Sequence, residues 1–326
     1  MTTLNNFRTQ VNTSISINKI SHDNHIVFMG SCFSDSMMKY FSNFCFSVSS
    51  PYGTIYNPIT LSQNIKRAMT ENMFSESELL QNEEFFLSWF HSGKYFNKSK
   101  DLLLNTINQQ QVKLAELIKK NAKLFVTFGT SKVYEFLENN QIVANCHKQP
   151  NSKFKNRRLE ISEIVKSWRS ILNQINNTVI FTISPVRHLK DGFIDNNKSK
   201  ATLFLAIDQL CKEFDHVHYF PSFEILIDEL RDYRFYASDW IHPSNEATDY
   251  IWNKLSEQIF SKDTSLLIKK IEKIRNDLSH QPKFGMTKAY INFISETLEK
   301  INNIKNQTKN YDWSNEISQI NAILNK

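Results

Sequence analysis

Four short runs along the chain are built almost wholly of apolar, β-branched or aromatic residues: 26–29, 124–128, 179–183 and 217–220. Runs of that length and composition predict strands buried on both faces. Between them lie stretches with apolar residues at helical spacing. Residues 34–41 open with a hydroxyl and an early Asp35, which suits a helix start. Asn57-Pro58 ahead of 59–69 is a cleaner signal, with Asn57 as cap and Pro58 at the first helical position. Residues 112–120, 159–175 and 200–214 each precede the next strand. Strand–helix alternation predicts a parallel α/β sheet with right-handed crossovers. Residues 134–146 break the alternation: Glu138-Asn139-Asn140-Gln141 between two apolar runs predicts an inserted hairpin. Ser244 is placed to cap a helix running through 249–260. Beyond Asp263 the pattern turns charged, amphipathic and strandless. Segments 266–278 and 286–304 predict a helical hairpin or appendage. The expected division is an α/β domain over 1–262 and a helical extension over 263–326.

Composition narrows this only a little. With 326 residues, 40% hydrophobic and 22% charged, the chain can bury a large core and retain an appendage. Its +6 charge comes from 39 basic against 33 acidic residues, with no basic cluster interleaved with aromatics, so a nucleic-acid partner is not expected. Cys32, Cys45, Cys146 and Cys211 show no CxxC spacing, which argues against a zinc site or a disulfide framework. Residues 1–13 are polar, without an apolar core for a secretory leader, and no apolar run is long enough to span a membrane. A cytoplasmic protein without a cofactor is expected.

The chemistry concentrates in two places. Gly30-Ser31-Cys32-Phe33 lies where the first strand gives way to a helix, the position at which ligands bind in open α/β sheets. Asp239-Trp240-Ile241-His242 puts a carboxylate three residues before an imidazole, ahead of a helix. A thiol or hydroxyl, a base and an orienting acid are the parts of nucleophilic acyl chemistry. A tight turn with a small buried Cys, and an ion-paired loop, are the plainer readings. Ser184, Arg187 and His188 follow the third strand and are candidates for substrate binding. His147 and Lys148 suit an anionic or polar substrate, and Asn57 joins the same group. Trp89, His91 and Ser92 are candidates to cover a cleft, with simple core packing of the Trp as the alternative.

Gly30-Ser31-Cys32-Phe33, Pro51-Tyr52-Gly53-Thr54-Ile55-Tyr56-Asn57-Pro58, Asn145-Cys146-His147-Lys148, Ser184-Pro185-Val186-Arg187-His188 and the stretch from Arg231 to Ser244 together resemble the GSCFA family over roughly residues 5–260. That family is similar to the SGNH/GDSL hydrolases, so the resemblance implies a flavodoxin-like three-layer α/β/α sandwich and acyl-ester chemistry on a carbohydrate or other small polar acceptor. It implies His242 as base and Asp239 as its partner. Registering the Gly-Asp-Ser block on Gly30 makes Cys32 the nucleophile, whereas a shift of one residue makes it Ser31. Gly53 matches the second oxyanion block. Gly129-Thr130-Ser131 lacks the Asn of the third, leaving Thr130, Ser131 or the inserted Asn145 as substitutes. Two other classes stay open: a binding protein that kept the fold and lost turnover, and a thiol redox or metal protein using Cys32 with Cys146. The amphipathic tail also offers a route to a dimer.

Overall fold

A computed structural model describes residues 9–325; the first eight residues of the polar N-terminal stretch lie outside it. Five strands, β1 (His25–Gly30), β2 (Ser47–Ser49), β3 (Lys123–Phe128), β4 (Val179–Ile183) and β5 (Val217–Tyr219), pair in parallel in the order β2-β1-β3-β4-β5. Gly30 lies opposite Thr127, and Phe128 opposite Ile183, so β1, β3 and β4 end nearly level. The strand order reverses between β1 and β3, which opens a crevice at their carboxyl ends. The edge strand β2 was not expected from the sequence: Ser47-Val48-Ser49 holds one apolar residue, and His25 bonds both of its serines, at 2.6 and 2.9 Å.

Side chains alternate between the two faces of the sheet, and each face has its own core. Val27, Met29, Val126 and Phe181 pack beneath helices α2 (Pro58–Met69), α3 (Lys100–Lys119), α4 (Ile161–Leu172) and α5 (Phe193–Glu213). Ile26, Phe28, Phe125 and Ile180 pack against α1 (Cys32–Asn43) and α6 (Asn245–Ile259). Three layers result. Asn57 caps α2 by accepting from Thr60 N at 2.8 Å, with Pro58 in the first turn. Ser244 caps α6 through Ala247 N. α3 begins twelve residues before the stretch at 112–120 suggested.

The interruption at 134–146 is a hairpin, Lys132–Phe136 with Gln141–Ile142, widened by a third antiparallel strand, Phe154–Arg158. A second small antiparallel sheet, Leu79–Asn82, Phe85–Ser88 and Phe96–Asn97, lies between α2 and α3 in sequence. The helical C-terminal region has three helices after α6, one more than the pattern suggested: α7 (Lys262–Ser279), α8 (Lys288–Lys305) and α9 (Ser314–Leu324). They enclose Ile271, Ile294, Ile301, Trp313 and Ile320. Arg275 ties them to the α/β part, donating to Asn43 O at 3.1 Å and, on its other side, pairing with Glu316. No helix among the described residues is long and apolar enough to cross a membrane.

Candidate active site

A cavity of about 550 Å³ opens at the carboxyl ends of β1, β3 and β4. Its walls come from five places: the start of α1, Tyr56 and Asn57 ahead of α2, the loop after β3 with the inserted hairpin, the loop after β4, and residues 241–242. Cys32 and His242 both line it.

The turn that presents Cys32 depends on Gly30. Its φ is +132°, and a Cβ there would stand 2.1 Å from Thr127 O, so only glycine lets β1 and β3 stay paired while the chain turns into α1. Ser31 then donates its N–H to Thr127 O at 3.1 Å and is wholly buried, its hydroxyl without a partner among the described residues and outside the cavity lining. Cys32, one residue on, is half-buried and faces the cavity. Burial pushes its thiol pKa up, and Asp35 adds to this; the first backbone N–H groups of α1 and the charge of Lys200 act in the opposite direction. The resting group is therefore a thiol that needs a base.

His242 is exposed at the cavity. Its Nδ1 stands 2.7 Å from Asp239 Oδ2, while Asp239 Oδ1 accepts from the backbone N–H of Ile241 (2.9 Å) and His242 (3.0 Å). Those two N–H bonds, with the imidazole, hold the Asp239 carboxyl down at about 2, so it is an anion throughout the working range. An anion at Nδ1 keeps the proton there and leaves Nε2 as the acceptor. Between them Trp240 takes φ +59° with its ring exposed, and Arg187 locks this loop to the one after β4. The guanidinium lies 3.8 Å over the Tyr236 ring, and Arg187 N donates to Ile241 O at 3.2 Å.

The other predicted residues divide. Asn145, Lys148, Thr130, Asn57, Arg187 and His188 line the cavity. Asn145 Oδ1 accepts from His147 N at 2.8 Å, which leaves the Nδ2 hydrogens for a ligand. Asn57 spends its side chain on the α2 cap and on Val143 O, 3.1 Å away. Burial holds His188 down to about 4, so it is a neutral imidazole beside Tyr56. His147, Ser184, Ser131 and Gly53 lie outside the lining. His147 is turned into the core, its Nε2 at 2.8 Å from Ser88 O. Ser131 bonds Ser199, and Gly53 lies against Ser92. The amides of Gly129 and Thr130 both donate to Tyr56 O, at 2.9 and 3.1 Å, and are unavailable to an oxyanion. Trp89 packs with Phe136 and Phe154, and His91 is fully buried against Tyr52 and Phe74, so both belong to the core. Among the described residues no group of three or more His, Cys, Asp or Glu side chains is gathered to hold a metal.

Sequence reasoning missed Lys200. It lies on α5 in the stripe of Leu203, Ile207 and Leu210, fully buried, and donates to Gly129 O (2.8 Å) and Ser184 O (2.7 Å). Two hydrogens for two carbonyls is the count of a neutral amine. Burial lowers its pKa from 10.5 to about 7. A charged residue on a core stripe was the available signal. Lys200 ties together the ends of β3 and β4, from which two cavity walls depart. Because its native pKa is depressed, the unfolded chain binds a proton that the native chain does not, between about pH 7 and the ordinary lysine range. Its cost to stability is complete below about pH 7 and disappears as pH rises toward 10.5. Wild-type protein should therefore gain stability relative to a Lys200→Met variant between pH 6.5 and 9.5, by about 1 kcal/mol or more in denaturant titrations. A flat difference over that range would refute titration of Lys200 there.

No curated protein and no solved structure matches the chain. The family model of the GSCFA family matches residues 25–255, which include every residue of the site just described, and that of the GSCFA domain protein, C-terminal domain, matches residues 271–326, where α8 and α9 lie. With the first match alone covering more than half of its length, the chain belongs to the GSCFA family.

Proposed function

We propose that the protein is an acyl-transferring hydrolase of the SGNH/GDSL kind. Its substrate is an ester of a carbohydrate or another small polar acceptor, and Cys32 is the nucleophile. The observation that carries this reading is the placement of a half-buried thiol and an Asp-oriented imidazole in the lining of one cavity, at the switch point of a parallel sheet. His242 Nε2 takes the thiol proton as sulfur attacks the ester carbonyl. The tetrahedral oxyanion faces the N–H groups at the start of α1 and Asn145 Nδ2. The carbon–oxygen bond then breaks, and His242 returns the proton to the leaving alkoxide, leaving a thioester on Cys32. Water, or an acceptor hydroxyl, is deprotonated by His242 and attacks the thioester, releasing the acid or a new ester and restoring the thiol. Ser31 is the less favoured nucleophile because its hydroxyl is buried away from the cavity.

The test is peptide-mapped labelling with iodoacetamide and with a fluorophosphonate, alongside turnover of para-nitrophenyl acetate, in wild type, Ser31→Ala and Cys32→Ala. Iodoacetamide labelling of the Cys32 peptide, mapped apart from that of Cys146, should increase with alkaline pH, as burial of the thiol requires, and the fluorophosphonate should leave Ser31 unlabelled. Turnover should vanish in Cys32→Ala and persist in Ser31→Ala. Full turnover in Cys32→Ala would overturn the assignment. Ligand binding without any acyl-enzyme would favour a binding protein that has lost turnover.

A further inference from the structure

The cavity is far larger than an acyl carbon and its two catalytic groups need, so the substrate must extend away from the reacting end. Its lining is weighted toward positive charge. Four cations line the cavity, Lys132, Lys148, Arg187 and Lys190, against a single carboxylate, Asp191. Lys132 consumes that carboxylate at 3.2 Å and Asp195 at 3.0 Å. Arg187 is held by the Tyr236 ring. The remaining two ammonium groups form no ion pair among the described residues: Lys190 donates to the Tyr134 hydroxyl at 3.2 Å and shares the field of Asp191, the carboxylate that Lys132 already pairs, and Lys148 has no acid partner.

The backbone beneath Lys148 is strained to present it. His147 and Lys148 are consecutive left-handed residues, φ +48° and +58°, a conformation costing non-glycine residues about 1–2 kcal/mol each. Three bonds enforce it: His147 Nε2 to Ser88 O, His147 N to Asn145 Oδ1, and Asn82 Nδ2 to His147 O at 3.1 Å. Strain that the surroundings over-determine is a mark of a functional position. With His147 turned inward as the pin, Lys148 lines the cavity, beside Gln149. We infer that this part of the cavity lining, around Lys148 and Lys190, binds an anionic group, a carboxylate or a phosphate, carried by the non-reacting part of the substrate, with those two lysines as its charge partners. What that group is attached to rests on the acyl-transfer reading above; its charge does not.

Cys146 lines the same cavity, close enough to Lys190 for that charge to act on its thiol, and gives a readout independent of ester chemistry. The experiment compares iodoacetate with iodoacetamide at Cys146, by peptide mapping of the full chain at low salt and mildly alkaline pH. A neutral cysteine peptide supplies the reference ratio. The preference for the charged reagent should exceed the peptide's by about fivefold, given the usual strength of exposed charge pairs. It should fall to the peptide's value in the Lys148→Ala/Lys190→Ala double variant and shrink in high salt. Inorganic phosphate and succinate, each added as protectant, then distinguish the two head groups by which one slows alkylation. A ratio equal to the peptide's, or unchanged in the double variant, overturns the inference, as does failure of both anions to protect. None of these readings uses Cys32 or His242, so loss of the proposed ester chemistry leaves the result interpretable.

Discussion

Replacing His242 by alanine is expected to lower acylation of Cys32 by about 10²–10⁴-fold, the usual contribution of a positioned general base. The reason lies in the thiol. Burial raises the pKa of Cys32, and Asp35 raises it further, so at neutral pH the nucleophile still carries its proton. An enzyme with a preformed thiolate would lose less. The variant should fold normally, because the His242 side chain is about half exposed and its only side-chain bond is to Asp239. Asp239→Asn separates orientation from loop structure. The amide oxygen can still accept from Ile241 N and His242 N, but its NH₂ now faces Nδ1 and imposes the wrong tautomer, so activity should drop while the loop survives. The measurement is the pre-steady-state rate of thioester formation together with the melting temperature. Retention of acylation within twofold in His242→Ala would remove this residue from the mechanism.

The largest effect on stability is expected at Gly30. An alanine Cβ would fall 2.1 Å from Thr127 O and 2.8 Å from Thr127 N and C, all backbone atoms of the neighbouring strand. Neither strand can yield without losing the β1–β3 pairing at the centre of the sheet. Gly30→Ala should therefore cost about 4 kcal/mol or more, in the range reserved for specific structural damage. Gly192→Ala is the matched control. It also has positive φ, +81°, but nothing lies within 4 Å of its Cβ, so only backbone strain of about 1–3 kcal/mol applies. Urea titrations of both variants decide the matter, and equal losses would show that the contact at Gly30 is not limiting.

Much of the sheet was legible because its strands are buried on both faces and read as unbroken apolar runs. What escaped had local reasons. β2 is a polar edge strand. The first twelve residues of α3 were hidden because its core stripe, Leu103, Ile107, Leu114 and Ile118, includes Gln111, a buried polar residue held by Tyr52 at 2.5 Å. In the site, Asp239 and His242 could be paired from spacing alone, since three residues within one turn suffice. The choice between Ser31 and Cys32 could not be made that way. Adjacent residues leave a turn in different directions, and which of them faces the cavity is set by Gly30 and by its contact with β3. The same limit applies to His147 and Lys148, neighbours of which one turns inward and the other outward. The partners of Lys200 were hidden for another reason: its position on a core stripe was readable, but the two carbonyls it bonds come from loops 71 and 16 residues away in sequence.

The bond between Arg187 and the Tyr236 ring has a consequence for how this protein can change. The thiol opens α1 directly after β1 and shares the cooperative stability of the sheet, whereas the imidazole is carried by a surface loop fastened through the cation–π contacts of Arg187 with Tyr233 and Tyr236 and a few backbone bonds. Under the proposed mechanism, substitutions around Tyr233, Trp240 and Arg187 would move the proton acceptor, altering rate and pH response, without weakening the sheet. Selection on speed and selection on folding thus act on different parts of the chain.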